Sequence, residues 1–196
     1  MAWLGLGLST LYVGWALGVK AHVGGIVERN LAAQGIDAED VLTAPAPLQT
    51  VLWNVIVDVD DAFLVGTYGL LDDNDRIDFR RIEQRTARLD PYRDTEAVDA
   101  LLWFSRGFFV MRETSSFEPE DEAEPLGLVF NDIRFGRVDG YLSEHGTGDE
   151  PSYIFPFRLV REPDGLLSFR LGEPSFDTSV FPLLFRRVLG NEEVAP

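Results

Sequence analysis

The sequence predicts an α+β protein: one long N-terminal helix with a membrane-type start, then an antiparallel sheet of hairpins with one or two packing helices. Three observations carry this. Met1 to Val19 contains no charged residue, which matches the ~18 residues at which an apolar run becomes long enough to span a bilayer. The rest of the chain breaks into short β-branched and aromatic runs between Asp, Gly and Pro turns, the punctuation of hairpins. No strand–helix–strand rhythm appears, so parallel crossovers are not expected. The chain divides into a transmembrane helix with an amphipathic continuation over 1–36 and a soluble antiparallel α+β domain over 37–196.

The helix has two halves. In the first, Gly7, Gly14 and Gly18 recur with Gly25 at spacings of seven, four and seven, so they share one stripe. Gly14-x-x-x-Gly18 is the small-xxx-small pattern that lets membrane helices approach closely. In water an interior glycine costs about 1 kcal/mol relative to alanine, so the stripe expects helices packed on it. The competing reading is an unusually apolar helix buried in a soluble core. No Lys or Arg precedes the apolar run, which argues against a secretory signal. In the second half Val23, Ile26, Val27 and Leu31 share a face, with Lys20, His22, Glu28 and Arg29 largely elsewhere. Gly35 is the expected stop. Lys20 and Arg29 at the exit vote for a cytoplasmic domain.

After a short polar stretch, Ala44-Pro45-Ala46-Pro47 imposes an extended passage. Val51–Val59 and Phe63–Leu71 read as a hairpin turning at Asp60-Asp61, with a short strand around Ile77–Ile82. Arg85–Asp94 is irregular. Thr95 caps a helix through Ala97, Leu101, Leu102 and Phe104 that stops at Gly107. Phe108–Met111 is a strand, Ser115–Glu124 an acidic loop, and Leu126–Val138 a strand with an irregularity at Gly136. Ser143–Ser152 is a second polar loop. Ile154–Arg161 and Leu166–Leu171 form a hairpin about Glu162-Pro-Asp-Gly165. Phe181–Leu189 is a short closing helix, with Arg186 and Arg187 placed for its dipole.

The net charge of −16 disfavours a nucleic-acid partner. With no cysteine, thiolate metal sites and cysteine nucleophiles are excluded. The two histidines, His22 and His145, stand without ligand-spaced companions, so neither is assigned to a metal. Asp72-Asp73-Asn74-Asp75 invites a calcium loop, but Arg76 at the fifth position and Ile77 at the glycine position break it. No catalytic residue and no metal ligand is assigned. The densest polar–aromatic constellation is Trp103-Phe104-Ser105-Arg106-Gly107 with Asp132-Ile133-Arg134. Asp132 and Arg134 share a strand face, and Arg106 is placed to join them. Two readings stay open: a core ion pair, or a patch in a concave sheet that takes a ligand or partner. Trp53, Tyr68, Trp103, Arg106, Asp132 and Arg134 are the candidate binding residues.

The order of motifs resembles the C-terminal part of the inner-membrane-bound metal-dependent hydrolase family, the YdjM-like group. The resemblance lies in Lys20-Ala21-His22, Pro45-Ala46-Pro47, Leu52-Trp53, Gly66-Thr67-Tyr68-Gly69, Trp103 to Gly107 and Asp132 to Gly136, and it spans most of the chain. The family's histidine motif, of His-Arg-Gly-x-Thr-His-Ser type, is not found here. The resemblance implies a non-catalytic C-terminal domain, serving interaction, regulation or substrate capture. Its partners would be the membrane and the upstream helices of a parent protein in the inner membrane. This chain would carry no cofactor, and a divalent metal would belong to the parent. The alternative is a module that binds a small molecule or lipid.

Overall fold

The computed structural model describes residues 2–46, 49–114, 122–137, 153–172 and 185–190. Pro47, most of the first acidic loop, the second polar loop with His145, and residues 181–184 of the expected closing helix lie outside the described residues. The architecture is α+β. A long helix, α1 (Ala2–Gln34), precedes two four-stranded antiparallel sheets and a few small helices.

Helix α1 ends where glycine was expected to end it. Gly35 takes φ +66, and its N–H bonds to Ala32 O at 3.3 Å while that of Ile36 bonds to Leu31 O at 3.0 Å. This is the Schellman closure, with Ile36 packed against the cluster that contains Leu31.

Strands β1 (Asp40–Pro45), β2 (Leu52–Val59), β3 (Ala62–Gly69) and β4 (Arg80–Glu83) form the first sheet in sequence order. The polar stretch after the helix is therefore an edge strand, β1, paired with β2 from Asp40–Asp58 to Pro45–Trp53. Pro45 is tolerated because it closes an edge strand. The irregular segment holds a 3₁₀ helix, Thr86–Tyr92, before α2 (Glu96–Ser105). Thr95 precedes α2 in extended conformation, but its hydroxyl donates to Tyr92 O at 2.7 Å and makes no cap bond. Strands β5 (Phe109–Glu113), β6 (Glu124–Arg137), β7 (Tyr153–Arg161) and β8 (Leu167–Leu171) make the second sheet, again in sequence order.

Strand alternation sorts the core into three layers of contact. Trp53, Val55, Val57 and Tyr68 face α1, meeting Val19, Val23, Ile26, Val27 and Leu31. Their neighbours Ile56 and Phe63 face the second sheet, meeting Phe108, Val110, Ile133 and Tyr153. Phe109, Met111, Phe130 and Leu159 face outward from there, under Leu89 of the 3₁₀ helix and Val98 and Leu101 of α2. The order is thus helix, sheet, sheet, helix. The helices cover opposite outer faces of two stacked sheets, where the sequence reading expects one sheet. Both faces of β2 are covered, which is why its first six residues are all buried and why it reads as a continuous apolar run.

Candidate functional site

Two features stand out, and each is built from a local cause. The first is the free half of α1. Its most apolar 18-residue window is only 6% buried, and the helix is long and apolar enough to cross a membrane. Among the described residues, an added Cβ at Gly7, Gly14 or Gly18 would meet no atom within 4 Å. At roughly 100° per residue, the glycine stripe lies about 140° round the helix from the face that Val19, Val23, Ile26 and Val27 bury in the domain. The stripe therefore looks away from the sheet. An open apolar groove runs over Gly7 and Gly14, rimmed by Trp3, Leu11 and Trp15. At half-buried Gly25 an added Cβ would lie 3.6 Å from the Arg29 guanidinium.

The other half of α1 is latched to the domain by polar groups, of which sequence reading did not single out Asn30 and Gln34. Asn30 Nδ2 donates to Ile26 O at 3.0 Å and to Asp75 O at 2.7 Å, and its Oδ1 accepts from the Ile77 N–H at 2.9 Å. Gln34 Nε2 donates to Ile77 O at 3.0 Å. Arg29 and Tyr68 both reach the Asp75 carboxylate, at 3.2 and 3.3 Å. Burial, then the Asp75 carboxylate, pushes the Tyr68 phenol up to about 12, so Tyr68 stays a donor at any physiological pH. An Asn on the buried stripe of an otherwise apolar helix face was the available signal.

The second feature is the Asp132–Arg134 pair on β6. Asp132 is fully buried, and Arg134 holds it from three directions. Arg134 Nε reaches both oxygens at 3.1 Å, its Nη2 reaches Oδ2 at 2.6 Å, and its backbone N–H reaches Oδ1 at 2.9 Å. The register slips between Asp132 and Arg137, the irregularity expected near Gly136, and such a slip re-aims side chains. Arg134 lies 5.1 Å from the Phe104 ring centre and 5.4 Å from that of Phe135. Phe155 stands edge-on to both rings. Beside Phe104, Trp103 is 82% exposed. A charge-neutral ion pair framed by aromatic rings can present a planar cation edge and apolar faces to a partner.

The six predicted binding residues separate into two groups. Asp132 and Arg134 meet, with Trp103 on the adjoining helix. Arg106 is exposed as the left-handed residue closing α2, so its expected place beside Asp132 is taken by Arg134 alone among the described residues. Trp53 and Tyr68 pair across β2 and β3 in the core under α1, a sheet away from the others. The Asp72–Asp75 cluster has structural partners. Asp72 accepts from Gly69 N–H at 2.8 Å and from Arg187 Nη2 at 2.8 Å, so Arg187 serves an ion pair where a helix-dipole role was expected. Among the described residues no group of three or more His, Asp or Glu is arranged to hold a metal ion.

One acid is under strain. Asp58 Oδ1 is buried without a hydrogen-bond partner among the described residues. Burial, then the Glu39 and Asp40 carboxylates, pushes its pKa up. Gln49 Nε2, Arg112 Nε and Tyr153 OH are likewise buried with no hydrogen-bond partner among the described residues, and nothing in the structure explains these three. No protein-family model, curated protein or solved structure matches the chain.

Proposed function

We propose that this chain is the membrane-tethered, non-catalytic domain of a hydrolase-like membrane protein, acting in interaction, regulation or substrate capture. In this reading the apolar half of α1 crosses the inner membrane and the domain hangs on its cytoplasmic side. Companion helices of the parent protein pack on the glycine stripe, and the divalent metal belongs to that parent. The observation that carries the reading is the bare glycine edge facing away from the domain, on a helix whose other half is locked into it. A rigid latch means that any movement of α1 against its companions is transmitted directly to the two sheets.

The test uses the absence of native cysteine. Single cysteines at Gly14 and, as a control, at Leu8 are cross-linked in native membranes with a short thiol-to-amine reagent. The expected result is a heavier adduct from Gly14→Cys and little from Leu8→Cys. Equal yields at both positions would show that the stripe has no partner. An adduct of twice the chain's mass would replace companion helices with a second copy.

A second reading, a small-molecule or lipid site, draws on the exposed Trp103 beside Phe104, Phe135 and Arg134. Native mass spectrometry of the chain after exposure to a lipid extract tests it. Identical retained species in the wild type and Trp103→Ala remove it.

A further inference from the structure

The closing helical turn, residues 185–188, carries an apolar edge. Phe185 is 65% and Leu189 60% exposed, four residues apart and so on one side of the turn. Leu71, against which the turn is seated, is 54% exposed. The seat is specific. Arg187 forks onto Asp72, with both side chains nearly buried. Gly190, at φ +82, brings its backbone so close to the Leu71 carbonyl that a side chain there would collide.

The position of this seat gives the patch its meaning. Leu70 N–H donates to Val51 O at 2.8 Å, and the Trp15 indole donates to Thr50 Oγ1 at 3.4 Å. From backbone spacings the Leu71 Cα lies within about 13 Å of that of Thr50. Trp15 and Leu17 are the last large exposed apolar residues of α1, and Val19 is already in the core. Leu71, Phe185 and Leu189 therefore stand at the end of the domain where α1 leaves it.

We infer that these three side chains are a second membrane contact, inserted at the boundary of headgroups and acyl chains of the bilayer that α1 crosses. The inference rests on reading α1 as a membrane helix. The occupant is a lipid surface because the patch stands at the same end of the domain as the exposed apolar half of α1. With a net charge of −16, attraction to anionic headgroups cannot drive the contact, so the apolar side chains must, and neutral lipid suffices. Arg186, exposed beside them, sits where a guanidinium meets headgroup phosphate. A single helix would leave the domain free to swivel about its axis. A second contact fixes which face of the sheets looks at the membrane.

The experiment places an environment-sensitive fluorophore on single cysteines of the full chain reconstituted in phosphatidylcholine vesicles, with and without lipid brominated near the glycerol. Leu8→Cys reports the span, Phe185→Cys and Leu189→Cys the turn. Asp61→Cys, at the hairpin end of β2 opposite Thr50, reports water. Quenching of about two-fold at 185 and 189, with none at Asp61, supports the inference. Quenching at Leu8 without any at 185 or 189 overturns it and leaves the span standing. A blue-shifted label at 185 that bromine does not touch means a protein partner, and also overturns it. A label at Leu8 that stays in water overturns the span and the inference together.

Discussion

Asn30 makes three hydrogen bonds at 2.7–3.0 Å, two of which join α1 to the β3–β4 connection while the third stays within the helix, on Ile26 O. Replacing it by leucine leaves the buried Ile77 N–H without an acceptor, a loss of about 3 kcal/mol. In a chain of this size the melting temperature should fall by roughly 9 °C, read by circular dichroism; a fall under about 2 °C would remove the latch from the argument. Arg134 is a different case. Arg134→Leu strands the fully buried Asp132 carboxylate and should cost about 3–5 kcal/mol, whereas the double change Asp132→Leu with Arg134→Leu should recover most of it. Chemical denaturation of the three proteins gives the answer, and equal losses for single and double variants would deny the pair its role. Asp58 has the opposite sign to most acids. Its folded pKa is raised, so the folded state holds this proton more tightly than the unfolded chain. Its contribution is most favourable below the ordinary carboxylate value, and stability declines as pH climbs from that value through the raised one. Asp58→Asn should flatten this decline and raise the melting temperature at pH 7 by about 2 °C. A steeper decline in the variant would contradict the assignment.

At the scale of elements, glycines of one sequence fall under opposite rules. In α1 a methyl group at Gly7 or Gly14 meets nothing within 4 Å, so Gly7→Ala with Gly14→Ala should leave the domain's melting temperature unchanged. At Gly66 on β3 the same methyl would lie 2.6 Å from Ile77 Cγ2 and 3.0 Å from Asp78 O. Those atoms belong to the segment that crosses β3 under α1, so Gly66→Ala should cost about 2 kcal/mol, visible in the same melt. If the two outcomes were reversed, the glycine stripe would be a packing surface of the domain. The elements themselves were largely legible. The β2–β3 and β7–β8 hairpins, α2 and its glycine stop, and the end of α1 all follow from local chemistry. The edge strand β1 was not, because Asp40–Pro45 offers only Val41 and Thr43 as β-branched residues between flanking acids and a Pro-bearing passage. It is a strand because β2 offers it an unpaired backbone edge.

For the whole molecule, α1 is packed on the domain along one half and exposed along the other. Removing residues 1–17 deletes only side chains outside the core clusters, and the product should be soluble and cooperatively folded. Removing residues 1–36 strips the cover from Trp53, Val55, Val57 and Tyr68, and that product should aggregate. Size-exclusion chromatography and tryptophan emission compare the two, and similar behaviour would mean that the helix is an appendage throughout. The candidate site was legible only in part. Asp132 and Arg134 meet because they are two apart on one strand, a relation written in local geometry. The separation of Trp53 and Tyr68 from Trp103 is not local. Nothing in the spacing of the hairpins says that the strands divide after β4 into two stacked sheets, or that α1 and α2 take opposite outer faces. The chain alone determined the long apolar helix, its glycine stripe, its stop and the antiparallel hairpins, since each is set by residues within a turn or a strand of one another. Tertiary structure decided which aromatic residues became core, which acids found a guanidinium, and which way the glycines look. Those outcomes depend on which faces the sheets bury against each other, a choice made by contacts between segments far apart in sequence.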